Sequence, residues 1–143
     1  IQGPLLHVWS KGGGHKIYQS KTGEVLVSEV IPYDGILDSV YSHEDNHLLC
    51  YESGDVLWYN TEGIQQTVIL SGPVQHALWN IEQASWHIAG WREEACISLH
   101  EQNSTPFREI PVQIVLHNDS TFLLLNDGTF VDSAYPFNSK AEE

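Results

Sequence analysis

Apolar residues in this chain come in short runs, and tight polar turns join the runs in pairs. The paired pattern recurs four times. Its copies run from His15-Lys16-Ile17-Tyr18 to Gly23-Glu24-Val25-Leu26-Val27, from His47-Leu48-Leu49-Cys50-Tyr51 to Gly54-Asp55-Val56-Leu57-Trp58, from Trp86-His87-Ile88-Ala89 to Ala95-Cys96-Ile97, and from Phe122-Leu123-Leu124-Leu125 to Gly128-Thr129-Phe130-Val131. A further apolar run precedes each copy, as in Leu5-Leu6-His7-Val8-Trp9 and Gln75-His76-Ala77-Leu78-Trp79. Gly54 and Gly128 lie 74 residues apart, two periods of 37. A fixed period of that size marks a repeat architecture.

No run keeps a helical beat. Gly, Asn, Asp, Ser or Pro interrupts the Val, Ile, Leu, Tyr and Trp runs every few residues, which predicts many short strands joined by turns. Three turns supply a glycine (Gly23, Gly54, Gly128) where a hairpin needs positive φ. The third repeat has Gly90-Trp91-Arg92-Glu93-Glu94 there instead. Each full repeat reads as four strands, near 37–42, 47–51, 56–60 and 65–70 in the second and near 75–80, 86–89, 95–100 and 107–110 in the third. The fourth repeat stops early, near Pro136. Residues 1–136 are expected to form one all-β repeat domain, and 137–143 a flexible acidic tail.

Leu123-Leu124-Leu125 and Leu48-Leu49-Cys50-Tyr51 are apolar on both faces rather than alternating. A strand buried on both sides reads this way, and sheets stacked face to face bury their middle strands so. The expected fold is all-β: propeller-type blades of four antiparallel strands, about four repeats of ~37 residues, the last incomplete. A β-trefoil is the alternative, but it requires three copies where four hairpins stand. The stretch His47-Leu48-Leu49, Gly54, Val56, Trp58, Asn60 and Gly63 resembles the repeat of the regulator-of-chromosome-condensation propellers, and the repeats resemble WD-repeat blades in length and strand order. The resemblance implies an interaction platform. An incomplete last blade leaves an open edge, so self-association, or completion by another chain, is expected.

Composition narrows the partners. Nineteen acidic residues stand against six basic ones, for a net charge of −13. That field repels phosphate backbones and anionic lipid, so neither nucleic acid nor membrane is expected as a partner, and a basic protein is favoured. The apolar runs are too short to span a bilayer. No leader is visible, and the chain contains no methionine, so its N-terminus is expected to be processed or trimmed. The compartment is not fixed, with an intracellular one favoured over a secreted one. Cys50 and Cys96 fall in different repeats and read as buried thiols. Two glycosylation sequons begin at Asn103 and Asn118.

One segment spells a catalytic motif. His43-Glu44-Asp45-Asn46-His47 matches the H-E-x-x-H pattern of zinc peptidases, which needs a helix to bring both histidines to one face. Asp45-Asn46 is a turn pair and strand-like runs flank it, so a hairpin turn is expected there. If any metal were bound, His43 and His47 would be the ligands; none is expected, nor any cofactor. Histidines recur at matching places, His7, His76 and His117 in first strands, His15 and His47 at hairpin starts. That regularity suits structural roles. Trp9 and Trp79 align by spacing and are read as packing between repeats, whereas Trp91 is expected at a hairpin tip.

The chain is therefore read as a non-catalytic binding module. Its partner-binding residues would be Trp91, Arg92 and Glu93, with Tyr59, His43 and Glu44 nearby on the same rim. A carbohydrate-binding domain using exposed aromatics is the alternative, and a zinc hydrolase on His43, Glu44 and His47 is another.

Overall fold

The computed structural model describes residues 4–117 and 120–136. Within them lie fourteen strands and no helix: β1 (Leu5–Trp9), β2 (Gly14–Gln19), β3 (Val25–Val30), β4 (Leu37–His43), β5 (Asn46–Tyr51), β6 (Asp55–Asn60), β7 (Gly63–Ile69), β8 (His76–Asn80), β9 (Ser85–Ala89), β10 (Glu93–Ile97), β11 (Gln102–Pro106), β12 (Pro111–His117), β13 (Ser120–Leu125) and β14 (Phe130–Asp132). They form four antiparallel sheets in sequence order: β1-β2-β3, β4-β5-β6-β7, β8-β9-β10-β11 and β12-β13-β14. Four sheets exclude the three-fold trefoil. Among the described residues the fourth sheet has three strands. The first sheet likewise has three strands, because after Val30 the chain leaves β3 and runs through Ile31 and Tyr33 to the next sheet.

The hairpins form for the anticipated reason. Gly23, Gly54 and Gly128 take φ of 75°, 100° and 90°. At Gly54 a side chain would also collide, since a Cβ there would lie 2.7 Å from the Leu70 carbonyl oxygen. The third repeat makes the equivalent turn with Arg92 at φ 62°. The hairpin tips at Glu44 (φ 54°) and Ala84 (φ 49°) also hold side chains in the left-handed region.

Packing between sheets follows from period two along each strand. In the second sheet Leu49, Tyr51 and Leu57 face the first sheet and join Ile31 and Leu37. Leu48, Cys50, Val56 and Trp58 point the other way, against Ala77, Trp86, Ile88, Ala95 and Ile97 of the third sheet. Leu48, Leu49, Val56 and Leu57 are all fully buried. Adjacent residues on opposite faces have therefore both lost solvent, the condition their continuous apolar run implied. Ala89 of the third sheet then meets Ile114, Leu123 and Leu125 of the fourth. First strands of neighbouring sheets touch, β4 with β8 and β8 with β12, so they lie innermost.

Two sequence expectations fail. The outer strand of the third sheet is 102–106 rather than 107–110. Its Gln-Asn-Ser-Thr-Pro sequence is mostly exposed on a sheet edge and has no apolar beat to reveal it. Trp9 and Trp79 are not equivalent. Trp9 pairs with His15, the last pair before its turn, whereas Trp79 pairs with Trp86 one step earlier. A one-residue shift flips a strand residue to the other face, so the two indoles approach the second sheet from opposite sides. The acidic tail, 137–143, lies outside the described residues, as does Asn118; Asn103 is exposed on β11.

Candidate functional site

In each sheet the turn after the first strand opens on one rim and the turn after the second strand on the opposite rim. On the first of these rims the first two sheets meet through a group of rings. Period two puts His7 and Trp9 on the inward face of β1, His15 on β2 and Glu29 on β3. His47 of β5 and Tyr59 of β6 meet them from the second sheet. His7 Nδ1 lies 3.0 Å from His15 Nε2. His15 Nδ1 lies 2.7 Å from Glu29 Oε2. The Tyr59 hydroxyl donates to the same carboxylate oxygen at 2.8 Å. Trp9 stacks on His15 with centroids 3.8 Å apart and planes 7° from parallel. His47 stands 4.8 Å from His7 and 5.9 Å from His15, centroid to centroid, and its Nδ1 pairs with the Ser42 hydroxyl at 2.7 Å. A cleft of about 230 Å³ opens beside this group, lined by His15, Glu29, His47 and Tyr59 together with Asp45 and Thr61.

The charge state follows from these contacts. Burial, with His7 and His15 close by, pushes the His47 pKa down to about 4. His7 is also lowered, by burial first and by His15 second. Burial alone would raise the Glu29 pKa, but hydrogen bonds from His15 and Tyr59 outweigh it and hold the carboxyl below its ordinary value. Burial and the Glu29 bond push the Tyr59 phenol up to about 12. At neutral pH the cleft therefore presents the Glu29 carboxylate beside the neutral His47 imidazole, a setting suited to a cation.

The residues expected to bind a partner do not share one surface. Tyr59 lies on the cleft wall, and His43 and Glu44 lie in the adjoining β4–β5 turn on the same rim. Trp91, Arg92 and Glu93 form the β9–β10 turn on the opposite rim. There Ser71 donates through its N–H to Glu93 and through its hydroxyl to the Trp91 carbonyl. The indole lies over Gly72, where a Cβ would sit 2.7 Å from that of Trp91. Trp91 keeps 40% of its surface exposed, beside a depression of about 420 Å³ that also involves Ser104 and Pro106. The H-E-x-x-H segment is a β-hairpin: His43 pairs with Asn46 and Ser42 with His47. The two histidines therefore lack the shared helical face that the zinc peptidase geometry needs. Among the described residues, no group of three or more His, Cys, Asp or Glu is placed to hold a metal.

His7, His15 and Glu29 are additions to the binding surface expected from the sequence, whereas Asp45 belongs to the 42–46 turn already placed there. The recurrence of His7, His15 and His47 was visible, but their convergence depends on two sheets stacking. Between the third and fourth sheets lies a second polar group. His87 is buried, 3.3 Å from Ser85 Oγ and 3.7 Å from Cys96 Sγ. Burial raises the Cys96 thiol pKa, which keeps it protonated rather than nucleophilic. Buried Glu94 accepts from the Ser133 hydroxyl and from the Ala134 N–H at 2.9 Å, tying the chain after β14 to the third sheet.

Known structures resolve the architecture. The WD40 domain of Neurospora crassa Pan2 superposes on 85% of this chain with a TM-score of 0.61 at 13% identity, the chain covering 40% of it. The fold is that of a WD40-type β-propeller. A complex of BBS1N with ARL6 contains a similar structure, with a TM-score of 0.58 and 16% identity over 89% of this chain and 47% of that one. The computationally designed Ika4 protein matches 92% of the chain and 85% of its own length, with a TM-score of 0.68 at 8% identity. The chain thus spans less than half the length of either natural propeller, and its four sheets are blades. No family model and no curated protein matches the sequence.

Proposed function

We propose that this chain is a non-catalytic protein-interaction scaffold, and that the rim cleft between blades 1 and 2 takes a basic side chain of its partner. The observation that carries this reading is the orientation of Glu29. Both of its hydrogen bonds end on Oε2, so Oε1 keeps its lone pairs for a ligand in a cleft that Asp45 also lines. A guanidinium or ammonium group suits such a site. The net charge of −13 favours approach of a basic partner. The BBS1N structure, which contains ARL6, is consistent with a protein partner. Tyr59 and the His43–Glu44 turn border the cleft and belong to the same surface in this reading. Trp91, Arg92 and Glu93 form a separate patch on the other rim, available to a second partner.

The test compares a hexa-arginine peptide with a hexa-glutamate peptide by calorimetry at low salt. Glu29→Gln with Asp45→Asn should weaken arginine-peptide binding about tenfold. A control, Glu52→Gln with Glu109→Gln, removes the same charge away from the cleft and should change it far less. Equal losses in the two double variants would reduce the effect to net charge and end the reading.

A further inference from the structure

Blades 1 and 4 each turn one face away from the stack, and those faces are not finished as protein surface. On those faces Leu6, Val8, Val25 and Val30 of blade 1 and Phe130 of blade 4 all stay exposed. On blade 1, Val8 pairs with Lys16 and Lys16 with Ser28, so these point together, opposite to Trp9, His15 and Glu29. Leu6 and Val30 share that outward face, 54% and 73% exposed. On blade 4, Ile114, Leu123 and Leu125 face blade 3. Their strand neighbours Val115, Phe122 and Phe130 point outward, around an apolar depression of about 340 Å³. Phe130 is 59% exposed. In blade 2 the corresponding positions on both faces are sealed by neighbouring blades. Apolar faces of this kind mark an interaction surface.

Charge says what covers them. Lys16 is the charged residue on the outward face of blade 1. Asp132, paired with Phe122 on β14, is its acidic counterpart on the outward face of blade 4. The two faces complement each other, and neither complements itself. We propose that a second copy of this chain covers both: blade 1 of each protomer stacks on blade 4 of the other, closing an eight-bladed ring with two-fold symmetry. The contact is head-to-tail, continues the blade order found inside the chain, and closes after two copies rather than growing into a filament. Eight blades lie within the range at which propellers close.

Sedimentation and native mass spectrometry of the 143-residue chain read the assembly. The wild type should be a dimer that dissociates on dilution. Lys16→Glu faces Asp132 with a like charge and should weaken the dimer at least about tenfold, as should Asp132→Lys. Mixed together, these two variants should form a 1:1 heterodimer of near wild-type affinity, because both contacts then pair opposite charges. Leu6→Glu with Phe130→Glu should leave a monomer, and circular dichroism shows whether it is folded. A monomeric wild type overturns the proposal and leaves the faces to blades from elsewhere, such as a longer chain. Open-ended oligomers, or a mixture that fails to pair, overturn it too. The cleft proposal does not depend on the outcome, since the monomeric variant retains the whole cleft.

Discussion

Blade 2 is held on its two sides by different chemistry. Toward blade 3, Trp58 meets Trp79 at 5.5 Å and Trp79 meets Trp86 at 5.3 Å, over a floor of Leu48, Ile88 and Ile97. Toward blade 1 the same rim carries His7, His15, His47, Tyr59 and Glu29 around Trp9. The indole interface is a stack of apolar area whose strength does not depend on protonation. The imidazole interface is a hydrogen-bonded network in which burial keeps His47 neutral and Glu29, as a carboxylate, accepts from His15 and Tyr59. One propeller thus contains a rigid joint and a pH-sensitive joint, one blade apart.

The strongest way to break the comparison is at the rigid joint. Trp86 is 1% exposed, and Trp86→Ala should cost about 3–5 kcal/mol, read as a fall in the urea midpoint. Its indole N–H has no hydrogen-bond partner, so Trp86→Phe removes an unsatisfied donor along with some volume and should cost much less. Equal costs would show that the indole N–H matters more than the packing.

Next in size is pH. An unfolded histidine titrates near 6.5, and folded His47 near about 4. As pH falls the unfolded chain takes up this proton first, so stability declines from about pH 6.5 and levels off below about 4. The loss is on the order of 3 kcal/mol. The lowered pKa of Glu29 acts in the same direction at lower pH, because its protonation also costs the folded state more. Between blades 3 and 4, burial depresses His87 to about 4 as well, against a backbone hydrogen bond with Tyr135. Glu94 works in the opposite direction there. Burial raises its pKa despite bonds from Ser133, Ala134 and Tyr135, so acid relieves a buried charge. Acidification should therefore open blade 1 first. Amide hydrogen exchange at pH 5 should show β1–β3 losing protection before β9 and β10; simultaneous loss would mean that the two joints do not differ.

The smallest effect sharpens the same point. Glu29→Gln keeps the shape and removes the charge that accepts from His15 and Tyr59. It should destabilise by about 1 kcal/mol at pH 7, partial exposure of Glu29 moderating the loss. The difference should vanish in acid, where the wild-type carboxyl is itself protonated. A difference that persisted in acid would assign Glu29 a packing role.

How legible all this was depends on what each residue must agree with. The period of 37, the glycines at hairpin tips and the two-sided apolar run Leu48–Tyr51 are local consequences of stacked antiparallel sheets, and they could be read directly. Strand β11 could not, because an exposed outer strand needs no apolar residues to pair its backbone. Trp9 and Trp79 misled by one residue, and in a strand one residue exchanges faces. The turn residues Trp91 and Glu44 were placed correctly at hairpin tips, yet on opposite rims, since rim follows from the direction of each strand.

The amino-acid sequence by itself determined the element type, the repeat and the burial of middle strands on both faces, since period and hydrophobicity act within one blade. The structure decided which side chains meet across blades: His7 and His15 with His47, Glu29 with Tyr59, Glu94 with Ser133. Those pairs are 30 to 40 residues apart in the chain, and their contact depends on register and stacking, quantities that only the folded whole sets.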